Sequence, residues 1–282
     1  MEIKTLEKSS LANLTTVFNE AFSDYIIPIQ WTEAILSRKF KADNVDLSLS
    51  PGYFVDGKLC GFIFHFIGTR EKSPVVWNGG TGVAPDQRGQ GVTTKLYEFI
   101  LPFMQESGFD RTVLEVIEGN NPAIHIYQKN GFSTTRKLDC YKGTIEAVAP
   151  PEGIFIKEIN TINWKTFHSF RSWQPTFQNN DPKIDMFRNE TEVIGAYDKD
   201  RLVGYIIGTK NRETGTVFQF AVKENYRNRG IGKALFARAG QGKKVHLNII
   251  NVDARHEASK VFFEKIGFEK TVSQFEMIKS LV

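Results

Sequence analysis

Two glycine-rich turns in this sequence have the composition of a phosphate-binding loop. One runs from Arg227 to Lys233 with the sequence RNRGIGK, and the other runs from Arg88 to Thr94 with the sequence RGQGVTT. Glycines at a helix N-terminus allow the backbone to approach a ligand closely, and the unpaired N–H groups of the first helical turn attract an anion. Because Arg227, Arg229 and Lys233 add positive charge to one turn, the sequence predicts a phosphate site there.

Other motifs for phosphate, nucleophile or metal chemistry do not occur in the sequence. A P-loop requires the pattern G-x-x-x-x-G-K-S/T, which neither turn has. A dinucleotide fingerprint requires a third glycine or alanine, but Thr94 and Leu235 stand at the corresponding positions. The G-x-S-x-G turn of hydrolases is absent. The five histidines, which include His125 and His256, show no paired metal-ligand spacing, so no metal is predicted.

The turns lie within a pattern of alternating strands and helices. Segments with strand composition are Leu59–Ile67, Pro74–Val83, Thr112–Ile117, Leu202–Thr209, Thr216–Val222 and Val245–Val252. Segments with helical periodicity are Leu11–Phe22, Trp31–Phe40, Val92–Ser107, Pro122–Asn130, Thr161–Phe170, Gly230–Ala239 and Glu257–Ile266. Pro102 is expected to kink or shorten its helix. The pattern predicts a mixed α/β fold in which a strand feeds each glycine-rich turn and a helix follows it.

Three sequence blocks occur twice in the same order and at nearly constant offsets. The matched pairs are Phe54–Ile63 with Tyr197–Ile206, Gly82–Gly91 with Ala221–Gly230, and Gln128–Phe132 with Glu264–Phe268. Chance similarity would not keep the order, so the sequence predicts two copies of one domain. The connector Ala147–Gly153 contains adjacent prolines and a glycine, which favour extended chain. The predicted domains are therefore residues 1–146 and 153–282, with the boundary near Pro150.

Composition and charge exclude several classes of protein. Of the 282 residues, 41% are hydrophobic and 24% are charged, as in soluble globular proteins. No apolar run approaches the roughly 20 residues that span a bilayer, and the start lacks a signal-peptide pattern, so we expect a cytoplasmic protein without membrane partners. Cys60 and Cys140 are too few for a disulfide scaffold and are expected to be reduced. The net charge of +4 is spread along the chain, which predicts no nucleic-acid partner.

This combination of motifs resembles the GNAT superfamily of N-acetyltransferases, and the resemblance covers nearly the whole chain. The acetyl-CoA loop of that family has the pattern Gln/Arg-x-x-Gly-x-Gly/Ala after the fourth strand. Arg227–Gly232 matches it completely, and Arg88–Thr93 matches it except at Thr93. A second family block, Asn-x-x-Ala-x-x-Leu/Ile-Tyr-x-x-x-Gly-Phe, is matched in full by Asn120–Phe132. The C-terminal copy has Phe263 at the tyrosine position of this block.

The resemblance implies two tandem GNAT-like domains that use acetyl-CoA as co-substrate. Each would have a twisted mixed sheet, flanked by helices, whose central strands splay apart around the pantetheine arm. The implied acetyl-CoA-binding residues of the first copy are Val83, Arg88, Gly89, Gln90, Gly91, Val92, Thr93, Thr94 and Asn120. Those of the second copy are Ala221, Val222, Arg227, Asn228, Arg229, Gly230, Ile231, Gly232 and Lys233.

The resemblance also implies direct attack of an acceptor amine on the thioester, without a protein nucleophile. Tyr127, at the family's tyrosine position, is predicted to protonate the leaving CoA thiolate. Glu115 is the predicted base for the acceptor ammonium, with Glu118 behind it and Asp24 as a further candidate. The acceptor, an amine of a small molecule or a peptide, is expected against the loop Phe22–Pro28.

The two copies differ in their motifs, which predicts different roles for them. The N-terminal copy combines Tyr127 with Glu115, whereas the C-terminal copy has Phe263 and, in the segment Leu247-Asn-Ile-Ile, no acid. We therefore predict that the N-terminal copy is catalytic and that the C-terminal copy is a structural support or a second CoA site. Two alternatives remain open: a thiol-conjugate acetyltransferase similar to mycothiol synthase, and a non-catalytic protein that binds or senses acyl-CoA. A nucleotide-binding Rossmann module is disfavoured by the missing third glycine.

Overall fold

The computed structural model describes residues 1–25, 29–70, 73–210, 213–242 and 244–282. Contacts among these residues divide the chain into two compact units. Unit 1 comprises Met1–Thr135 with Phe275–Val282, and unit 2 comprises Arg136–Gln274. The predicted boundary near Pro150 follows the sequence repeat, whereas the contacts divide the chain earlier and assign its last segment to unit 1.

Unit 1 alternates strands with helices. Its strands are β1 (Glu2–Thr5), β2 (Pro51–Val55), β3 (Lys58–Arg70), β4 (Ser73–Val83) and β5 (Arg111–Ile117). Its helices are α1 (Leu11–Ala21), α2 (Glu33–Asp43), α3 (Val92–Glu106) and α4 (Asn121–Lys129). The order is the one that the sequence pattern predicts from β3 to α4.

The sheet of unit 1 is antiparallel from β1 to β4, and β5 lies parallel to β4. Within the described residues, the parallel ladder ends at the pair Asn78 and Leu114. Beyond that pair, β4 continues to Val83 and β5 continues to Ile117. A β-bulge at Gly79 lies where the ladder ends. The two central strands therefore separate over their C-terminal halves, which confirms the splayed sheet that the resemblance implies.

Both faces of this sheet are covered by helices. On one face α1 buries Leu14, Phe18 and Ala21, which recur at the spacing of a single helical face. On the other face α3 buries Leu96 and Ile100 in a second hydrophobic cluster. The sheet is therefore the middle layer of unit 1, and the separated ends of β4 and β5 lie between two helical layers.

Pro102 was expected to kink or shorten its helix, and of these two effects the shortening does not occur. Helix α3 continues through Pro102 to Glu106. Pro102 lies on the exposed face of the helix, where water can satisfy the carbonyl group that lacks a helical partner. The buried face of α3 is therefore unbroken from Val92 to Met104.

Unit 2 has the same alternation. Its strands are β6 (Ser133–Gly143), β7 (Ile154–Glu158), β8 (Thr191–Asp198), β9 (Arg201–Thr209), β10 (Thr214–Val222), β11 (His246–Asp253) and β12 (Glu269–Ser280). Its helices are α5 (Trp164–His168), α6 (Asp181–Met186), α7 (Ile231–Ala239) and α8 (Glu257–Lys265). Two strands cross the division between units: β6 begins in unit 1, and β12 belongs to unit 1 from Phe275 onward.

The sheet of unit 2 repeats the interruption found in unit 1. It is antiparallel from β7 to β10, and β11 lies parallel to β10. Within the described part of this unit, the parallel ladder ends at the pair Val217 and Ile249. A bulge at Phe218 follows. By the sequence repeat, Val217 corresponds to Asn78, so both units separate their central strands at the same place.

Two kinds of feature are absent from the described residues. No helix among them is long and apolar enough to cross a bilayer. In the same ranges, no three His, Cys, Asp or Glu side chains are grouped as ligands for a metal ion.

Candidate functional site

The glycine-rich loop of unit 1 joins the end of β4 to the start of α3. Gly89 and Gly91 have φ angles of 76° and 71°, in the left-handed region that side chains disfavour. A Cβ atom on Gly91 would contact nothing within 4 Å, so the space beside this residue is open. Gly91 is the N-cap of α3 and makes no side-chain cap. The first-turn N–H groups of α3 therefore face a space that an anion can enter.

The side chain of Arg88 is occupied by protein groups. Its Nε donates to the carbonyl oxygen of Val83 at 3.1 Å, and its Nη2 donates to that of Ala21 at 3.0 Å. The guanidinium also binds both carboxylate oxygens of Asp24, at 2.6 Å and 2.9 Å. Arg88 therefore ties the loop to β4 and α1, and its side chain is not placed as a phosphate ligand.

This ion pair also changes the assignment of Asp24, which the sequence offered as a possible base. The hydrogen bonds from Arg88 lower the pKa of the Asp24 carboxyl. A carboxylate held in its ionised form by a guanidinium is a weak proton acceptor. Asp24 is therefore an anchor of the loop in this structure.

The loop of unit 2 is built in the same way. Gly230 is the N-cap of α7 and has a φ angle of 83°. Arg227 donates from Nε to the carbonyl oxygen of Val222 at 2.9 Å. Its Nη2 donates to Ser172 Oγ at 3.0 Å and to the carbonyl oxygen of Phe170 at 3.3 Å. The first arginine of each loop thus has the same structural role, which its motif position alone does not reveal.

A cleft of about 540 Å³ opens beside the loop of unit 2. Its volume is within the usual range for small-molecule sites, about 300 to 1,000 Å³. Every predicted ligand-binding residue of this copy except Arg229 lines the cleft. Instead, the Arg229 guanidinium lies 5.2 Å from the ring centroid of Tyr226. The aromatic residues Phe170, Trp173, Phe220, Tyr226 and Phe262 also line the cleft.

Tyr127 lies in the core of unit 1, with 9% of its surface exposed. Its ring contacts those of Tyr97 and Phe132, with centroids 6.4 Å and 5.9 Å away. Burial raises the pKa of Tyr127 to about 12, so the hydroxyl keeps its proton at neutral pH. The side chain therefore has the protonation state that a proton donor needs.

Glu115 is half-buried on β5, one residue beyond the end of the parallel ladder. Its neighbours Leu114 and Val116 pack in the same hydrophobic cluster as Tyr127. Because side chains alternate along a strand, Glu115 lies on the opposite face of the sheet. The two predicted catalytic side chains thus approach the separated strands from different faces.

Three polar residues near Tyr127 were not identified from the sequence. Asn78 Nδ2 donates to Thr81 Oγ1 at 2.8 Å and to the Tyr97 hydroxyl at 2.7 Å. The available signal was the polar and glycine run Asn78–Thr81 in the middle of an apolar strand.

The described part of the loop after α1 includes Tyr25, whose ring packs edge-on against that of Phe22 with centroids 5.0 Å apart. Asn120 Oδ1 accepts the backbone N–H of Ala123 at 3.4 Å and caps α4. Residues 26–28 of the predicted acceptor loop lie outside the described residues.

Unit 2 lacks the hydroxyl at the tyrosine position. Phe263 is fully buried and stacks on Tyr141, with ring centroids 4.4 Å apart. His256 takes the place of Asn120, and its Nδ1 lies 2.9 Å from Ser259 Oγ. Burial lowers the pKa of His256, so this ring is neutral at neutral pH.

The separated strands of unit 2 are also filled by side chains. Arg171 forms an ion pair with Asp181 and donates from Nη2 to Gln219 Oε1 at 2.6 Å. Gln219 Nε2 donates to the carbonyl oxygen of Asn179 at 2.6 Å. The cavity lined by Arg171, Asn179 and Gln219 measures only about 30 Å³, space for about one water molecule. An acceptor amine would not fit in this cavity.

Comparison with known proteins places both units in one family. Residues 13–132 match the acetyltransferase (GNAT) family, and residues 156–279 match an acetyltransferase (GNAT) domain. No curated protein matches the sequence.

Solved structures with the same fold cover nearly the whole chain. A GCN5-related N-acetyltransferase from Sphaerobacter thermophilus is 15% identical, with a TM-score of 0.73 over 99% of this chain and 95% of its own. A tandem GNAT protein from the clavulanic acid biosynthesis pathway is 13% identical, with a TM-score of 0.71 over 100% and 98%. Eis1 from Mycobacterium abscessus is 14% identical, with a TM-score of 0.56 over 100% and 74%.

Proposed function

The chain belongs to the GNAT acetyltransferase family, and we propose on that basis that it is an acetyl-CoA-dependent N-acetyltransferase. The acceptor is a primary amine of a small molecule or a peptide, and unit 1 performs the reaction. One observation carries this assignment: Tyr127 is a buried, protonated hydroxyl near the separated strands, whereas unit 2 has Phe263 at the same position.

Acetyl-CoA is bound by the backbone at two places in unit 1. The pyrophosphate lies at the N-terminus of α3, where the first-turn N–H groups and the open space beside Gly91 accept it. The pantetheine arm lies between β4 and β5 and pairs with the backbone near Val83. Arg88 supports this site indirectly, because its hydrogen bonds hold the loop in place.

The reaction is a direct transfer of the acetyl group. The neutral amine attacks the thioester carbonyl, a C–N bond forms, and the C–S bond breaks. A backbone N–H of the separated strand stabilises the developing oxyanion. Tyr127 gives its proton to the CoA thiolate, and Glu115 takes the surplus proton of the amine from the other face of the sheet. The opposite placement of these residues suits a thioester that lies between the faces.

Binding and turnover together test the proposal. We expect calorimetry to show micromolar or tighter binding of acetyl-CoA, and weaker binding of analogues that lack the pyrophosphate. With a library of primary amines, the protein should release free CoA thiol. Equal affinities for acetyl-CoA and for pantetheine alone would contradict the assignment of the glycine-rich loop as the pyrophosphate site.

Glu115→Gln is expected to lower kcat by roughly 10- to 100-fold, because an amide cannot accept the amine proton. The acidic limb of the pH profile should disappear with it, since that limb reports the base. Glu98→Gln is a matched control on the exposed surface of α3. A kcat equal to that of the wild type would instead leave proton removal to water.

A second candidate function is binding of acyl-CoA without transfer. The described cleft of about 540 Å³ lies in unit 2, which has Phe263 in place of the tyrosine. A protein of this kind would give heat with acetyl-CoA but release no thiol with any amine. Both candidates fit a cytoplasmic protein, since Cys60 and Cys140 are buried thiols.

A further inference from the structure

Gly80 in β4 has open space where a side chain would stand. A Cβ atom on its neighbours Gly79 or Gly82 would lie closer to a phenylalanine ring than side chains tolerate. On Gly80, a Cβ atom would meet the Phe64 ring at 3.8 Å, an ordinary van der Waals distance, and no other described residue within 4 Å. A side chain would therefore fit at Gly80, although the sequence has none there.

Gly80 borders the gap between the separated strands of unit 1 on the side of α1. It follows the bulge at Gly79, just beyond the last ladder pair, and Glu115 follows the same pair on β5. The Cβ position of Gly82, two residues further along β4, points at Ala21 of α1. Because side chains alternate along a strand, the open side of Gly80 faces the same way. The Glu115 side chain lies on this face too, across the gap.

Unit 2 has a long side chain at the corresponding position. Gln219 is the residue after the bulge of β10, as Gly80 is in β4, and the sequence repeat also pairs the two. Gln219 is buried, donates to the carbonyl oxygen of Asn179 at 2.6 Å and accepts from Arg171 at 2.6 Å. In unit 1 the residues 78–81 are partly exposed in the middle of the sheet. Unit 1 therefore leaves open a place that unit 2 fills with an amide and its partners.

Aromatic rings form the wall beside Gly80. Phe64 is the strand partner of Gly80, and its ring centroid lies 4.2 Å from that of Phe62. The row of rings continues through Phe18 to the partly exposed Phe22, with centroids 6.0 Å and 4.6 Å apart. Phe22 begins the loop against which the acceptor is expected. A hydroxyl or a second charge on the acceptor would lose its hydrogen bonds to water against these rings without gaining others.

We propose that Gly80 determines the size of the acceptor in unit 1, and that the acceptor is a primary amine on an aromatic or other apolar body. The apolar body lies against the rings of Phe62 and Phe64, in the space beside Gly80. The amino group lies toward Glu115, and the bond changes are those of the proposed reaction. This inference rests on the proposed function and adds the class of the acceptor to it.

Three primary amines test the class of acceptor: phenethylamine, ethylamine and glucosamine. After correction for the neutral fraction of each amine, we expect kcat/KM for phenethylamine to exceed the other two values by roughly 100-fold. The reason is that burial of a phenyl ring removes apolar surface from water in the transition state. Equal values for the three amines, or a preference for glucosamine, would overturn the proposal.

Gly80→Gln gives unit 1 the residue of unit 2 and tests the role of Gly80. The new side chain enters the acceptor space on the α1 face, whereas the glycine-rich loop leads into α3 on the other face. The Kd for acetyl-CoA should therefore stay within about twofold of the wild type. We expect kcat/KM to fall by roughly 100-fold for phenethylamine and by less than about 10-fold for ethylamine, because the smaller amine needs less room.

Gly80→Ala is the matched control for this variant. Its Cβ atom keeps an ordinary contact with Phe64, so the loss with phenethylamine should stay below about fivefold. A size-dependent loss in Gly80→Gln cannot come from general damage to the fold, which would affect both amines alike. Equal losses for phenethylamine and ethylamine would therefore refute the role of Gly80.

Binding of the acceptor can also be measured without turnover. Protein saturated with free CoA should bind phenethylamine in calorimetry, and Gly80→Gln should raise the Kd by roughly 10-fold or more. An equal Kd in the wild type and Gly80→Gln would contradict the proposal. Failure of the proposed acetyl transfer would appear separately, as wild-type protein that binds phenethylamine beside CoA but releases no thiol from acetyl-CoA with any amine.

Discussion

Replacing Gly91 with glutamate is expected to lower acetyl transfer by roughly 1,000-fold or more, because it removes the pyrophosphate site of unit 1. A side chain there enters the open space beside the first turn of α3, and its negative charge repels the phosphates. The same change at Gly230 should leave kcat within about threefold of the wild type, because that loop serves the copy with Phe263. Side-by-side assays of the two variants measure which unit is catalytic.

The control for this comparison is Gly108→Glu. Gly108 has a φ angle of 78°, and a Cβ atom on it would contact nothing within 4 Å, as for Gly91. It follows the C-terminal end of α3, so it matches the backbone strain of Gly91→Glu without entering the loop. If Gly230→Glu abolishes activity and Gly91→Glu spares it, the reaction belongs to unit 2.

Tyr127→Phe is expected to lower kcat by roughly 10- to 1,000-fold, since general acid catalysis contributes about 100- to 10,000-fold and water replaces part of it. The affinity for acetyl-CoA should change little, because the lost hydroxyl acts on the leaving group. Burial raises the pKa of Tyr127 to about 12. The acid form is therefore lost only as the pH rises through that value. No alkaline loss of kcat due to Tyr127 should appear below about pH 10.

Tyr141→Phe is the matched control for this variant. Tyr141 is a buried tyrosine of unit 2, and burial raises its pKa to about 12 as well. Removal of its hydroxyl should leave kcat unchanged. An unchanged kcat in Tyr127→Phe itself, measured with the best acceptor, would remove Tyr127 from the mechanism.

Local sequence patterns predicted those strands and helices whose formation depends mainly on residues close to them along the chain. The strand β4 and the helix α3 could be predicted because an apolar run, a glycine-rich turn and apolar residues at helical spacing follow one another in the sequence. The edge strand β7 and the strand β12 were missed, because they are short or polar on one face and their partners are distant in sequence. Helix α6 was missed because a helix of six residues has little periodicity.

The residues of the candidate site likewise differ in whether neighbours along the chain or distant contacts determine their roles. Gly91 and Tyr127 could be predicted as site residues because a family motif and a backbone requirement act locally. The role of Arg88 depends on Asp24, which is distant along the chain, so the motif alone could not distinguish a phosphate ligand from a loop anchor. The hydrogen bond from Asn78 to Tyr97 likewise depends on a contact that forms only after β4 and α3 have packed.

The assignment of Phe275–Val282 to unit 1 has a consequence for biosynthesis. The strand β12 lies next to β5, and Met277 is part of the hydrophobic cluster around Tyr127. The ribosome synthesises these residues only after all of unit 2. The β5 edge of the unit 1 sheet therefore stays unpaired while unit 2 is translated. An incomplete chain that stops within unit 2 therefore contains Tyr127 and Glu115 but not the strand that lies next to β5 in unit 1. The complete sheet of unit 1 thus forms only after β12 has been translated.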